Sequence, residues 1–265
     1  MPPVEPQQLL ALAHRLAEEA GQLLLDGRAK AELLGTKSTH TDLVTTMDHA
    51  SERHVVDGIR AARPDDAIVG EEGTDTPGTT GVRWVIDPLD GTTNYFYGVP
   101  AYAVSIGVEI DGEVVAGVVA DPSRRETFAA TLGGGATCNG RPIRCTGATA
   151  LGSSLVGTGF SYEPSRRARQ GAVVATLLPV ARDVRRFGAA ALDLCWVGCG
   201  RLDGYYERGL APWDLAAGAL IAAEAGATVG DLSGGPASTA FVLASTPAIW
   251  EDLRSLLAAA GAGEA

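Results

Sequence analysis

The sequence predicts a mixed α/β protein built as two packed lobes, and three observations carry that expectation. Between Ala67 and Thr131, short apolar segments follow one another with turn residues between them. Near Ala148 the character changes, and strand-like segments begin to alternate with Ala/Leu-rich helical ones, a pattern that points to α/β layering. The chain has 265 residues, 46% hydrophobic and 20% charged, enough for one large domain or two modest lobes with a substantial core. It has no internal repeat, no low-complexity tract and no linker-like run. Lobes at 1–146 and 147–265 are therefore expected to meet directly, with a cleft where they join.

Each element has its own justification. Leu9, Ala13, Leu16, Ala20 and Leu23 recur at helical spacing within residues 4–26. Residues 30–46 read as irregular. A second helix follows with Met47, Val55, Ile59 and Ala62 on one side, and Pro64 ends it. Strands are expected at 67–70, 82–86, 102–110, 113–120 and 126–131, with turns at Asp111-Gly112, Asp121-Pro122 and Gly133-Gly134-Gly135. Asp-Gly between two alternating apolar runs is a strong hairpin signal, so this sheet should be largely antiparallel. Later strands at 154–158, 204–206 and 240–244 alternate with helices near 165–178, 189–198, 212–225 and 247–259.

Lys+Arg 21 against Asp+Glu 32 gives a net charge of −11. That is the wrong sign for a sequence-independent nucleic-acid binder or for a surface seeking anionic lipid. It suits carboxylates gathered around cations, although a plain acidic surface is the commoner reason. Glu18 and Glu19 interrupt the first helix, so no export signal is read there. Glu224 breaks the longest apolar stretch, so no span crosses a bilayer. Cys138, Cys145, Cys195 and Cys199 form no Cys-x-x-Cys pair and read as reduced, mostly buried thiols. The expectation is a cytoplasmic protein without nucleic-acid or membrane partners.

The densest chemical signal is Trp84-Val85-Ile86-Asp87-Pro88-Leu89-Asp90-Gly91-Thr92-Thr93-Asn94. Pro88 keeps Asp87 extended, Gly91 allows a sharp turn, and Thr92 or Thr93 can cap a helix beginning there. Two carboxylates then sit on one short turn beside the N–H groups of a helix N-terminus, which suits a Mg²⁺-dependent phosphate enzyme. Taken alone, the stretch reads equally well as an Asp-Pro turn followed by a capped helix. Gly70-Glu71-Glu72-Gly73 places another carboxylate at a strand end, although Glu-Glu is usually a solvated loop. Ala211-Pro212-Trp213-Asp214 opens a helix whose first-turn acid is explained by the helix dipole with no functional role.

Together, Gly70-Glu71-Glu72, the stretch from Trp84 to Asn94, and that from Trp213 to Gly226 resemble the signatures of the inositol monophosphatase family of Mg²⁺-dependent phosphatases. Thr41-Asp42-Leu43-Val44-Thr45 and Gly200-Arg201-Leu202-Asp203-Gly204-Tyr205-Tyr206-Glu207 extend the likeness over nearly the whole chain. The resemblance implies the layered αβαβα sandwich of the inositol monophosphatase and fructose-1,6-bisphosphatase type. It implies that Glu71, Asp87 and the Leu89 carbonyl hold one Mg²⁺, and that Asp87, Asp90 and Asp214 hold a second. A third, weaker ion would lie near Glu71. Thr92 would orient the attacking water with Asp48 as its partner, Glu71 would serve catalysis as well as metal binding, and the Gly91 and Thr92 N–H groups would cradle phosphate. Asp90, Gly188, Ala189, Ala190 and Glu207 would face the substrate. A small phosphate ester, a homodimer and sensitivity to Li⁺ are implied as well.

General chemistry agrees. Crowded carboxylates repel one another unless cations neutralise them, and two metal ions flanking a phosphate can activate water and stabilise the leaving alkoxide. Other phosphatase chemistries fit poorly. His14, His40, His49 and His54 lie in no Arg-His-Gly context, and Asp87 and Asp90 are three apart rather than two. Cys138 to Arg144 matches Cys-x₅-Arg, but Pro142 removes a backbone donor from the cradle, and we read the stretch as a hairpin turn. Substrates of the resembled family include inositol phosphates, fructose 1,6-bisphosphate, histidinol phosphate and 3′-phosphorylated nucleotides. Glu207 and its context favour inositol monophosphate. Gly188-Ala189-Ala190 departs from the usual Gly-Ser or Gly-Thr and lacks a hydroxyl there. A regulatory binding protein that keeps the metal site is the reading from another class.

Overall fold

The computed structural model describes residues 5–37, 39 and 42–264. Helix α1 (Pro6–Gly27) is followed by a small antiparallel hairpin of β1 (Leu33–Thr36) and β2 (Leu43–Thr45), and then by α2 (Thr46–Ala62). The expected irregular stretch at 30–46 is thus partly a hairpin. Its strands are short and mostly exposed, so they carry no alternation to read. Met47, Val55 and Ile59 are buried as expected, but Ala62, the last residue of α2, is exposed. His40 and Thr41 lie outside the described residues.

Eight strands form the large sheet: β3 (Ala67–Gly70), β4 (Asp75–Thr76), β5 (Val82–Asp90), β6 (Ala103–Ile110), β7 (Glu113–Asp121), β8 (Glu126–Thr131), β9 (Gly135–Cys138) and β10 (Arg141–Pro142). Their order is β10-β9-β8-β7-β6-β5-β3-β4. Every pairing is antiparallel except β3 with β5. The Cys138 segment is a hairpin as expected: β9 and β10 pair across Asn139-Gly140, both with positive φ. Helix α3 (Thr92–Tyr97) leaves the end of β5.

The second half adds β11 (Leu155–Thr158), α4 (Pro164–Leu177), β12 (Asp183–Arg185), α5 (Ala190–Gly198), β13 (Gly204–Glu207), α6 (Pro212–Glu224), β14 (Thr228–Gly230), β15 (Val242–Ser245) and α7 (Trp250–Ala259). Its five-stranded sheet runs β12-β11-β13-β15-β14. The three-residue strands β12 and β14 are too short to announce themselves in the sequence.

Five layers result. Apolar residues of α1 and α2 cover one face of the large sheet, including Trp84 and Ile86. Helices α5 and α6 fill the space between the sheets, packing on Ala103, Val119 and Phe128 on one side and on Tyr205, Val242 and Ala244 on the other. Helices α4 and α7 close the outer face through Val173, Leu177, Leu253 and Leu257. The α/β layering is as expected. Of the four cysteines, only Cys195 is fully buried, which corrects the expectation of mostly buried thiols; all are free.

Candidate active site

Strand β5 does more than the motif promised. It continues past Ile86 to Asp90, with the irregularity needed to present two acids placed between Asp87 and Asp90. The Asp87 carboxylate accepts the Leu89 N–H at 3.0 Å, and Ser51 on α2 donates to the Pro88 carbonyl at 2.7 Å, so the turn is braced from both sides. Gly91 follows at φ +84°, and a Cβ there would stand 2.8 Å from the Ala101 carbonyl oxygen. Both the backbone angle and the close approach require glycine. Gly91, and not Thr92 or Thr93, is the N-cap of α3, and no side chain caps it.

The Thr92 hydroxyl is used elsewhere. It lies 2.9 Å from Asp48 Oδ1 and 3.0 Å from the Leu89 carbonyl oxygen, and its proton serves these two acceptors. Asp48 is fully buried at the start of α2. Its Oδ2 accepts the Thr45 N–H at 2.8 Å and the Thr45 hydroxyl at 2.6 Å. A capping interaction thus fixes the carboxylate that Thr92 addresses.

Glu71 leaves the end of β3 on a loop that a residue unremarked in the sequence holds down. Glu52, buried on α2, accepts the Glu72 N–H at 2.8 Å, the Thr74 N–H at 3.2 Å and the Thr74 hydroxyl at 2.6 Å. Asn94, the last residue of the motif, has a part that the motif alone did not indicate. Its side-chain amide donates to the carbonyls of Ala101 and Phe187, each at 2.7 Å, and so ties the loop before α5 to helix α3. One turn further on, the Ala191 N–H donates to Asp90 Oδ2 at 2.8 Å. Asp214 enters on the first turn of α6, where its Oδ2 accepts the Ala211 N–H at 2.7 Å.

These elements enclose a cleft of about 510 Å³. Glu71, Asp87, Leu89, Asp90, Gly91, Thr92, Gly188, Ala190, Glu207 and Asp214, all named from the sequence, line it. Ala189 does not. It is 1% exposed, and its methyl lies 3.3 Å from where a Gly91 Cβ would stand. Asp48 sits behind Thr92.

Burial pushes the carboxyls of Glu71, Asp87, Asp90 and Asp214 upward, and their mutual repulsion pushes Glu71, Asp87 and Asp90 further. Burial likewise raises Glu207, while Tyr205 and Arg186 draw it down. Lys37 bonds Glu71 Oε1 at 2.8 Å and also pairs with Glu72. Burial opposes the Lys37 charge, but these two partners outweigh it and hold the ammonium protonated. Among the described residues no three His, Cys, Asp or Glu side chains are already gathered as a metal-holding set. The donor chemistry nevertheless fits a hard divalent cation: four carboxyl groups and a carbonyl, all oxygen donors, largely removed from water, whose mutual repulsion a cation would relieve.

A family model described as the inositol monophosphatase family matches residues 5–262. An inositol-1-monophosphatase of Mycobacterium bovis is 47% identical over 250 residues, 86% of this chain and 85% of that protein. An Escherichia coli (strain K12) protein described as Nus factor SuhB is 42% identical over 230 residues, 86% of each chain. Among solved structures, the extragenic suppressor protein suhB from Bartonella henselae superposes with a TM-score of 0.90 at 32% identity, over 94% of this chain and 98% of that one. The layered sandwich, the ordered motifs and a match running almost end to end agree, and the chain belongs to the inositol monophosphatase family.

Proposed function

We propose that the chain is a Mg²⁺-dependent phosphate monoester hydrolase acting first on inositol 1-phosphate, with direct attack by water. The observation that supports this most is the Thr92–Asp48 hydrogen bond at the lip of a cleft floored by four carboxylates. A protein that only binds has no use for a hydroxyl whose single proton is taken up by a buried, immobilised acid and a backbone carbonyl. Glu71, Asp87, the Leu89 carbonyl, Asp90 and Asp214 would hold Mg²⁺, as two ions with a weaker third. Bound there, Mg²⁺ supplies Lewis acidity toward the water and the leaving oxygen, and offsets the repulsion a phosphate would meet.

The remaining tasks fall to the chain itself. Because the Thr92 proton points at Asp48 or Leu89, the hydroxyl's free lone pair is available to accept from a water, which fixes that water's orientation. Asp48 cannot swing away, because Thr45 holds its other oxygen. The Gly91 and Thr92 N–H groups would receive phosphate oxygens. Glu207 would accept hydrogen bonds from ring hydroxyls, which supports a polyhydroxylated leaving group. The same reading takes the protein as cytoplasmic and inhibited by millimolar Li⁺, and as a homodimer, for which exposed Phe96, Tyr97 and Val99 offer an apolar surface.

A second reading, a regulatory protein that retains the site, is favoured by the 42% identical relative described as a Nus factor. Phosphate release from inositol 1-phosphate, glycerol 2-phosphate, histidinol phosphate, fructose 1,6-bisphosphate and a 3′-phosphonucleotide, with and without Mg²⁺, separates the two. Inositol 1-phosphate is expected to lead. A tenfold preference for another ester would replace the substrate, and no turnover of any would favour the regulatory reading.

A further inference from the structure

Tyr205 and Glu207 lie two apart on β13 and therefore share a face of the small sheet, the one turned to α5. Tyr205 is fully buried, and its hydroxyl donates a short hydrogen bond to Glu207 Oε2. The neighbouring strand makes the room. Gly157 pairs with Tyr205 in parallel register, and a Cβ on it would stand 3.2 Å from the Tyr205 ring. At Gly159, two residues on, a Cβ would fall 1.9 Å from Glu207 Oε2. Gly157 on β11 and Gly159 just past its end thus leave a trough for the phenol and the carboxylate of β13.

Asp193 on α5 is 1% exposed, and its Oδ1 has no hydrogen-bond partner among the described residues, although burial and Glu207 keep its carboxyl raised. The Tyr205 proton goes to Glu207, which lines the cleft. An unrestrained Glu207 would have several rotamers to choose from. Held by the phenol on one oxygen, it presents the other in one place.

We propose that Tyr205 is a positioning residue: through its hydroxyl it holds Glu207 in the single orientation that recognises vicinal hydroxyls of a cyclic polyol phosphate. This rests on the function proposed above. Replacing the phenol donor removes a charge-assisted hydrogen bond, worth roughly tenfold in the affinity it organises. Tyr205→Phe is expected to raise KM for inositol 1-phosphate about tenfold with kcat within about threefold. Its preference for inositol 1-phosphate over glycerol 2-phosphate should fall by the same factor.

Calorimetric titration of myo-inositol, with Mg²⁺ and inorganic phosphate present, should show the same weakening. The Tyr205→Phe/Glu207→Gln double variant should be no weaker than Glu207→Gln alone. Gly159→Ala, whose Cβ would displace the Glu207 carboxylate, should reproduce the KM rise, and melting curves of both variants in Mg²⁺ separate this from a folding defect. A fall in kcat with KM unchanged, penalties that multiply in the double variant, or no myo-inositol binding by wild type would overturn the assignment. Should wild type bind myo-inositol yet release phosphate from no ester, the hydrolase reading fails, while the binding cycle still decides the role of Tyr205.

Discussion

The Thr92 hydroxyl has one proton and two acceptors within reach, Asp48 Oδ1 and the Leu89 carbonyl oxygen. Its value therefore lies in orientation and not in ground-state affinity. Thr92→Ala is expected to lower kcat by at least ~10²-fold while KM shifts by less than about threefold, read from steady-state kinetics. Asp90→Asn and Asp214→Asn act on charge instead. In each, a carboxyl held above its ordinary range loses its cost, so folding without divalent cations is expected to be at least as stable as wild type while Mg²⁺-dependent hydrolysis falls at least ~10²-fold. Melting curves in chelator and turnover in Mg²⁺ check the two halves separately. At this scale the sequence was readable where residue type and spacing are rare together, as in Asp87-Pro88-Leu89-Asp90-Gly91-Thr92. It was silent on Glu52 and Asn94, whose partners are backbone groups of other elements. An acid on a helix and an amide after a turn have many ordinary explanations.

The elements that carry the acids are anchored by other acids behind them. Glu52 holds the Glu71 loop to α2 through three hydrogen bonds, and a Cβ on Gly70 would stand 2.4 Å from its Oε2. Glu52→Ala leaves those donors unpaired and is expected to cost about 2–4 kcal/mol and to expose residues 70–74 to hydrogen exchange. Unchanged protection there would contradict the anchoring role. Asp66 does the same for the start of the sheet. Burial would raise its carboxyl, but hydrogen bonds from Arg63, Thr80 and Trp84 outweigh that and hold it below its ordinary value. A depressed carboxyl contributes stability above its unfolded pKa, about 3.9, and loses it as pH falls through the lower folded value. Asp66→Asn is therefore expected to cost about 1–3 kcal/mol at pH 7, with the gap to wild type closing below about pH 4. A gap independent of pH would assign the loss to packing. Alternation and Asp-Gly made the long strands legible. The β1–β2 hairpin and the three-residue strands β12 and β14 were not, because segments that short take their shape from the neighbours they pair with.

Across the whole molecule, the site exists because α5 and α6 serve two sheets at once. Helix α6 comes close to the large sheet where that sheet has no side chains: a Cβ on Gly107 would stand 2.7 Å from the Ala216 methyl, and one on Gly117 would stand 2.9 Å from the Ala217 Cα. Asp214 is carried inward by that approach, and the Ser105 hydroxyl, 3.2 Å from the Trp213 carbonyl, fixes its depth. The layered class could be foreseen from the change of pattern near residue 148. The sharing of the middle layer could not, since it depends on which glycines of β6 and β7 face α6. As proposed, this convergence would make a Mg²⁺-dependent hydrolase of inositol 1-phosphate. Its most direct test is inorganic phosphate released from inositol 1-phosphate by wild type and Asp90→Asn, each with Mg²⁺ and with chelator. Wild type is expected to release phosphate in Mg²⁺ alone, with release abolished by chelator and at least ~10²-fold slower in the variant. Equal release with and without Mg²⁺, or wild-type rates from Asp90→Asn, would contradict it.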